Sequence, residues 1–336
     1  MKKTVLSRLA TIAVSLLPLT LLATTSSAST PSSVNVVGYS IVANAYSALE
    51  TAFQHTLAGE GVTFTNSFGA STTQAEDVVA GQPADVVNFS LQPDLQLLVN
   101  AHLVSKKWAS YPSVKSQKGM VTDSTVAIVV RPGDPLAING WRDLLSSGVA
   151  VVTPDPISSG SARWNLLAAY ESQIAQGLKP AAATTFLNSL IGHVIAEPSS
   201  GSKALSTFLA GTGNVLLAYE ADALAAYASG QKIQIVQPPQ NLLIENPAAL
   251  TTTGTSNPGA KAFYRFIFSK PGQLIWLHYF FRPTLPSLAA LLKTTLYTPR
   301  VMTRVSSLGG WTQVDTKFFS PHGIITKAEA AHGFTS

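Results

Sequence analysis

The sequence predicts an α/β fold of two lobes, and two features of its pattern support this prediction. Short β-branched or apolar runs alternate with segments whose apolar residues recur at helical spacing, which is typical of parallel sheets flanked by helices. The alternation occurs twice, over roughly residues 34–101 and again over roughly 124–236. Because no low-complexity linker or internal repeat separates the two runs, we expect two lobes that the chain crosses more than once.

In the first run, three predicted strands are each followed by a predicted helix. The strands are VNVVGYS (34–40), VTFTNSF (62–68) and ADVVNFS (84–90). The helices cover roughly residues 41–57, 71–79 and 93–101. This β-α-β-α-β order indicates a parallel sheet in the first lobe.

The second run repeats the alternation with five predicted strands. They are STVAIVVR (124–131), VAVVT (149–153), HVIAE (193–197), VLLAYE (215–220) and KIQIV (232–236). The predicted helices are a short one at 141–146, two that begin at Ser161 and Ser202, and one near 221–229. Beyond them the apolar run LLIENPAAL (242–250) leads into predicted helices near 258–268 and 271–280.

The N-terminus has the pattern of a secretory signal peptide, predicted over residues 1–28. Three cations precede the apolar run Leu9–Ala23, and Ser26 and Ala28 supply the small residues of a cleavage site. A membrane anchor helix is the alternative, but the run is short and contains Thr, Ser and Pro. We therefore expect export of the mature chain to the periplasm.

Composition excludes several classes of function. The 336 residues are 46% hydrophobic and 12% charged, which is typical of a globular chain and not of a disordered one. Loss of the three leader cations would lower the net charge from +5 to about +2, too little for a nucleic-acid-binding protein. The chain has no cysteine, and its histidines are scattered, so we expect no disulfide, metal site or cofactor.

Four places share one arrangement, in which a predicted strand ends and a helix begins among small hydrogen-bond donors. They are Tyr39-Ser40, Phe68–Thr72, Ser158–Ser161 and Ser199–Ser202. Ligands of open parallel sheets bind beyond the carboxyl ends of the strands, where helix N-termini offer free N–H groups and partial positive charge. Four such turns that converge would form a cage of neutral donors for an anion.

Three other interpretations compete with the anion cage. Each serine could simply cap its helix, since serine is a favoured N-cap residue. An exported hydrolase could hide a serine nucleophile, but the sequence has no G-x-S-x-G elbow and no histidine beside a candidate serine. A surface adhesion or interaction protein would not need the four donor turns. The anion cage explains the excess of donors best, and we expect no enzyme.

The segment TPDPISSGSARWNLLAAY (153–170) closely resembles the signature T-P-N-P-x-S-S-G-G-A-R-W-N-x-L-A-A of the periplasmic sulfate-binding proteins of ABC importers. Further similarities follow in order along the chain. They are SFGASTTQ (67–74), ADVV (84–87), NVLLAYE (214–220), Arg282-Pro283 and LGGW (308–311). The resemblance covers roughly residues 34–315. It implies the two-lobed type II fold of periplasmic binding proteins, with a mainly parallel sheet flanked by helices in each lobe.

The resemblance also implies a division of the chain into lobes and a set of partners. Residues 34–123 and 240–336 would form the first lobe, and residues 124–239 the second. The protein would capture sulfate or thiosulfate in the interlobe cleft and deliver it to an ABC permease with its ATPase subunits. It would act as a monomer, without a cofactor and without nucleic acid. Molybdate or tungstate is the alternative cargo.

The resemblance assigns roles to individual residues of the four turns. Ser40, Gly160, Ser161 and Gly201 fall where backbone N–H groups of the family bind the anion. Ser71 and Ser159 fall where hydroxyl groups bind it. Tyr219 stands where the family has a tryptophan whose indole N–H donates, so an obligate donor is replaced by a hydroxyl that donates and accepts.

Two further positions would lie near the anion without binding it directly. Arg163 would either stiffen the site and offset the charge of the anion, or pair with a carboxylate. Ser202 stands where the family has an arginine, with Lys203 next to it. A fully ionised dianion only accepts hydrogen bonds, whereas phosphate at neutral pH also needs an acceptor, usually a carboxylate. Because the turns carry almost no acidic residue, sulfate, thiosulfate or another proton-free oxyanion is favoured over phosphate.

Overall fold

The computed structural model describes residues 32–334. The predicted signal peptide, residues 1–28, therefore lies outside the described residues. Within residues 32–334, none of the helices is both long and apolar enough to cross a membrane.

The strands of the described chain are short and are numbered in chain order. They are β1 (Ser33–Tyr39), β2 (Thr63–Gly69), β3 (Val86–Asn88), β4 (Met120–Ser124), β5 (Val126–Val130), β6 (Val151–Val152), β7 (Val194–Ala196), β8 (Val215–Tyr219), β9 (Gln234–Val236), β10 (Gln240–Leu242), β11 (Ile244–Leu250), β12 (Arg282–Pro283) and β13 (Val301–Thr303).

The helices fill most of the connections between these strands. They are α1 (Ala43–Gln54), α2 (Ser71–Val79), α3 (Gln92–Asn100), α4 (Gly160–Ile174), α5 (Pro180–Ile191), α6 (Gly201–Leu209), α7 (Glu220–Ala228), α8 (Thr252–Ser256), α9 (Pro258–Phe268), α10 (Lys270–His278), α11 (Ala289–Thr295), α12 (Trp311–Val314) and α13 (Ile324–Ala331). A π-helix, Asp315–Phe319, continues α12.

Eleven of the strands form two mixed sheets with helices packed on both, and β10 and β13 form a separate pair. The sequence predicted two mainly parallel sheets flanked by helices. The first sheet has the order β12-β4-β11-β3-β1-β2 and the second the order β7-β6-β8-β5-β9. We call the first sheet with α1–α3 and α8–α10 the first lobe, and the second sheet with α4–α7 the second lobe. Most strands of each sheet share one direction, and the exceptions are β11 and β12 in the first and β5 in the second.

The reversed strands follow from the way in which the chain passes between the sheets. Thr125 alone separates the end of β4 from the start of β5. The chain therefore leaves the first sheet at the carboxyl end of β4. It enters the second sheet at the edge that faces the first lobe, where β6 and β8 end. A strand that starts at this edge must run antiparallel to them. The same geometry holds on the return, where β11 is antiparallel to β3 and β4.

Residues 244–250 form β11 in the middle of the first sheet, although the sequence did not predict a strand there. Pro247 lies inside the strand, and proline weakens a strand prediction because it cannot donate to the ladder. The register between β11 and β4 shifts at Asn246 and Pro247, so an irregularity of pairing accommodates the proline. Helix α5 was likewise not predicted.

The C-terminal part of the chain packs on the second lobe. Strand β13 pairs with β10, and α13 contacts α5. The rings of Trp311 and Phe318 meet those of Trp164 and Tyr170 on α4, edge to face at centroid distances of 4.9 Å in both pairs. The predicted division of the chain into 34–123 with 240–336 and 124–239 stays a prediction, and this packing adds contacts from its last segment to α4 and α5.

Buried apolar side chains cover both faces of each sheet. In β1, Val34 and Val36 belong to a large cluster that continues through both lobes, whereas Val37 faces the helices α2 and α3. The second sheet likewise packs its other face, through Val129 and Leu216, against α6 and α7. Helices on both faces leave the carboxyl ends of the strands as the open edge of each sheet, and these edges face one another across the cleft.

Candidate functional site

The predicted turns meet where the two lobes face each other. The backbone N–H of Thr72, in the first lobe, donates to the carbonyl oxygen of Ser158, in the second, over 3.1 Å. The N–H of Ser202 donates to the Ser40 Oγ over 3.4 Å. Each bond joins two of the four turns, and the Ser158 hydroxyl, which donates to the Ser199 carbonyl oxygen over 3.0 Å, links the two pairs. The structure therefore brings all four turns into one interlobe region.

The start of α4 carries an unusual N-cap. Ser159 is the N-cap residue, but its side chain makes no capping hydrogen bond. Instead its Oγ shares a hydrogen bond of 2.8 Å with the Oγ of Ser161. The first N–H groups of a helix have no partner within the helix, so the N–H groups of Gly160 and Ser161 are not satisfied by the serine beside them.

Gly160 lies close to the end of β3 in the first lobe. A Cβ atom at this position would lie 2.7 Å from both the Ser90 Oγ and the Leu91 Cγ. Those distances are too short for any side chain, so only glycine allows the helix start to approach the end of β3 this closely.

The start of α6 is capped in the ordinary way. The Ser200 Oγ accepts from the backbone N–H of Lys203 over 3.3 Å. Gly201 lies against the other turns, since a Cβ there would be 2.7 Å from the Ile41 Cδ1 and 3.0 Å from the Ser161 Oγ. The interpretation that the serines are only caps therefore fits Ser200, whereas it does not fit Ser159.

The Ser71 hydroxyl is engaged within the first lobe. Its Oγ donates to the Asp94 carboxylate over 2.6 Å and accepts from the backbone N–H of Ser90 over 2.9 Å. The Thr72 hydroxyl donates to the second oxygen of Asp94 over 2.9 Å. Burial raises the pKa of Asp94 to about 6. The predicted role of Ser71 as a hydroxyl ligand stays a prediction, and in this structure its proton points to Asp94.

Tyr219 lies at the inner end of the cleft and is fully buried. Its hydroxyl shares a hydrogen bond of 2.7 Å with the Ser90 Oγ and accepts from the Asn246 amide over 3.3 Å. The hydroxyl of Tyr39 in turn donates to the Asn246 Oδ1 over 3.1 Å. Burial raises the pKa of the Tyr219 hydroxyl, so it stays protonated and can donate.

Arg163 lies behind the α4 turn and does pair with a carboxylate. Its guanidinium is 3.5 Å from the Asp315 Oδ1 and stacks over the Phe319 ring at 4.8 Å. Its Nε donates to the carbonyl oxygen of Pro156 over 2.9 Å, so it also holds the loop that precedes Ser159. Arg163 therefore pairs with a carboxylate and also supports the turn, so the structure contains features of both roles considered for it.

Ser90 was not predicted as a site residue, although its contacts link β3 to both lobes. Beyond its contacts with Ser71, Gly160 and Tyr219, its carbonyl oxygen accepts from the Trp164 indole N–H over 2.9 Å. The signal was present, because Ser90 ends the third predicted strand as Ser40 ends the first. Asn246 carried no comparable signal, since it reaches the site from a segment distant in sequence, and Asp94 lies inside a predicted helix and not at a strand end.

The residues of this region are neutral donors with few titratable neighbours. Within residues 32–334, no group of three or more His, Asp or Glu side chains is placed to hold a metal ion. Two carboxylates contact the turns, and all four of their oxygens already accept hydrogen bonds. Those of Asp94 accept from the Ser71 and Thr72 hydroxyls, and those of Asp155 accept from the Ser158 hydroxyl and the Ile157 N–H. The arrangement is therefore suited to binding an anion through hydrogen bonds.

Comparison with known proteins agrees with this geometry. The model of the family of bacterial extracellular solute-binding proteins matches residues 34–282. The sulfate-binding protein of Synechococcus elongatus is 31% identical over 310 residues, which cover 90% of this chain and 87% of that protein. The thiosulfate-binding protein of Pseudomonas aeruginosa is 29% identical over 86% of this chain and 89% of its own length.

A solved structure shows the same similarity at the level of the fold. The sulfate-binding protein SubI from Mycobacterium tuberculosis superposes with a TM-score of 0.82 at 40% identity, over 86% of this chain and 100% of that one. Fold and cleft thus define a two-lobed solute-binding protein. The chain belongs to the family of bacterial extracellular solute-binding proteins.

Proposed function

We propose that the protein captures sulfate, or the related thiosulfate, in the interlobe cleft and delivers it to an ABC importer. The α4 start carries the proposal. Its serine N-cap leaves the N–H groups of Gly160 and Ser161 without a capping partner, at the positive end of a 15-residue helix that points into the cleft. Relatives named for sulfate and thiosulfate binding support this choice of ligand.

The donors favour an anion that carries no proton. Sulfate offers acceptors only, and the N–H groups at the α4 start together with the Tyr219 hydroxyl can all donate. Phosphate at neutral pH would need a carboxylate acceptor in the cage, and the oxygens of Asp94 and Asp155 already accept from other donors. The proposal involves binding and lobe closure, with no chemical step.

A ligand panel tests this function directly. The mature chain, dialysed free of anions, would be melted with sulfate, thiosulfate, molybdate, tungstate or phosphate at about 1 mM. Ligand at about a thousand times its Kd adds roughly 4 kcal/mol, which raises the Tm of a chain of this size by roughly ten degrees. We expect that shift with sulfate or thiosulfate and little with phosphate. A shift with molybdate or tungstate alone would overturn the choice of ligand, and no shift at all would overturn the function.

The route of export and the partner are part of the same proposal. We propose that the leader is cleaved after Ala28 and that the closed, loaded protein docks as a monomer on a permease with its ATPase subunits. N-terminal sequencing of the exported chain tests the cleavage site. Recovery of a chain that still begins at Met1 would contradict it.

A further inference from the structure

A buried ion pair lies where the chain passes between the two lobes. Glu220, the first residue of α7, is fully buried, and Arg282 of β12 is 4% exposed. The Arg282 Nε donates to one carboxylate oxygen over 2.8 Å, and an Nη donates to the other over 2.9 Å. Glu220 belongs to the second lobe and Arg282 to the edge of the first sheet, so this two-pronged contact joins the lobes.

The same glutamate is bound by both passages of the chain between the lobes. Its backbone N–H donates to the carbonyl oxygen of Thr125, the single residue between β4 and β5, over 2.8 Å. Its Oε1 accepts from the Gln237 amide over 3.0 Å, and Gln237 follows directly after β9 on the way back to the first sheet. Glu220 therefore contacts β12 and both crossovers at once.

This position lies close to the axis of lobe closure. When two rigid lobes rotate about the segments that join them, atoms beside those segments move least. Contacts across the cleft, such as Ser202 to Ser40, must break when the lobes separate. The contacts of Glu220 with Thr125 and Gln237 lie at the joining segments, so they can persist in both states.

We propose that Glu220 and Arg282 form a pivot pair that sets the axis of closure and keeps Tyr219 in register with the first lobe. Tyr219 directly precedes Glu220 in the chain, and its hydroxyl contacts Ser90 and Asn246 of the first lobe. A fixed pivot one residue away limits how far Tyr219 can shift along the cleft. The pair acts as a positioning device and does not touch the anion.

Interlobe distance measurements test the pivot pair. The chain has no cysteine, so spin labels attach only at introduced sites. Ser47→Cys on α1 and Ser206→Cys on α6 would report the cleft opening, since both residues are exposed and their helices belong to different lobes. We expect Glu220→Gln to broaden the distance distribution of the sulfate-free protein and to weaken sulfate binding at least tenfold.

A double variant separates positioning from simple stabilisation. Glu220→Gln alone leaves Arg282 buried and unpaired, and this variant could fail to fold. The double variant Glu220→Gln with Arg282→Met removes both charges, so it leaves no unpaired buried charge and allows the proposal to be tested in a folded protein. If the pair positions the lobes, the double variant keeps the broad distribution and the weak binding. A wild-type distribution and affinity in the double variant, with only its Tm changed, would overturn the proposal.

Glu245→Gln is the matched control, because Glu245 pairs with Arg304 at a more exposed position. This control is expected to leave the distance distribution and the affinity unchanged. The affinity readout rests on the proposed function, whereas the distribution of the sulfate-free protein does not. If the wild type does not bind sulfate, the proposed function is wrong. The distance distributions of the sulfate-free protein would still test whether Glu220 and Arg282 form a pivot pair.

Discussion

At the scale of single residues, the site depends on an absent side chain at Gly160 and an absent capping hydrogen bond at Ser159. Gly160 has no side chain where a Cβ would overlap Ser90 and Leu91 of the other lobe. The Ser159 hydroxyl bonds to the Ser161 hydroxyl instead of to a backbone N–H, which leaves the N–H groups of Gly160 and Ser161 without a capping partner. Both features keep backbone donors accessible and let the lobes approach closely enough to surround a small anion.

The Gly160 contact predicts a binding defect without a folding defect. Gly160→Ala would overlap atoms of the opposite lobe, so the overlap arises only on closure. We expect a penalty of about 1–3 kcal/mol, or a roughly tenfold to hundredfold rise in the Kd for sulfate by calorimetry. The Tm without ligand should change little.

Gly140→Ala is the control for this substitution, since Gly140 has an extended backbone and open space around its Cβ direction. Unchanged sulfate affinity in Gly160→Ala would show that the lobes do not close against this residue.

Asp94 predicts a pH dependence of binding. Its pKa of about 6 lies above the value for an unfolded aspartate, so its contribution to stability is complete below about pH 4 and is lost as the pH rises through about 6. A nearby dianion favours the neutral acid, so sulfate affinity should fall over the same range, by roughly tenfold or less.

Asp94→Asn should flatten this profile between pH 5 and pH 7, as measured by calorimetry. Glu76→Gln, on the exposed side of α2, should keep the slope of the wild type. An equal slope in Asp94→Asn and the wild type would assign the pH dependence to another group.

At the scale of elements, the sequence predicted the strands and helices whose local apolar periodicity matches the side that is buried in the fold. The strands β1, β2, β5 and β8 and the helices α9 and α10 lie where periodicity placed them. Strand β11 was not predicted because its proline argues against a ladder, and the ladder is completed by two partners distant in sequence. The same limit applies to the residues of the site. The serines at strand ends could be predicted from local pattern, whereas Asn246 could not, because it lies on the unpredicted strand β11.

The packing of α13 predicts an alkaline sensitivity. Glu329 on α13 is a neighbour of Glu197, just after β7, with Asp155 nearby. Burial raises the pKa of both glutamates above the value of an unfolded glutamate. Repulsion from Asp155 raises both pKa values further, and repulsion from Glu329 adds to the rise at Glu197. The stability that their protons contribute is therefore present at low pH and lost as the pH rises through the raised pKa values.

We expect the Tm to fall between pH 6 and pH 9, and Glu329→Gln to reduce that fall by a few degrees in thermal melts. Glu60→Gln, at an exposed position, should not change it. A steeper fall in Glu329→Gln than in the wild type would contradict the assignment of the alkaline sensitivity to this glutamate pair.

At the scale of the whole molecule, the repeated alternation of strands and helices predicted two α/β lobes, and the comparisons and the structure confirm them. The reversed strands could not be predicted, because their direction depends on the edge at which the chain enters each sheet. The packing of residues 301–331 on α4 and α5 depends on long-range aromatic contacts that no local pattern encodes.

Closure of the lobes predicts a change in shape on binding. The interlobe bonds of Ser40, Thr72 and Ser90 can form only when the cleft is shut. Small-angle X-ray scattering should therefore show a smaller radius of gyration with sulfate than without it. Gly160→Ala should show a smaller decrease, and an identical radius with and without sulfate would rule out closure as the binding step.

The central place of β11 also dictates an order of assembly. Between β3 and β4 the first sheet has a gap until residues 244–250 arrive, whereas β5–β9 are complete once residue 236 is available. Contacts that close such long loops form slowly, so the lobe that is begun first should be finished last. Pulsed hydrogen exchange during refolding should protect β5 and β8 before β3 and β4. A chain that emerges N-terminus first then completes its anion cage only after its C-terminal half has followed.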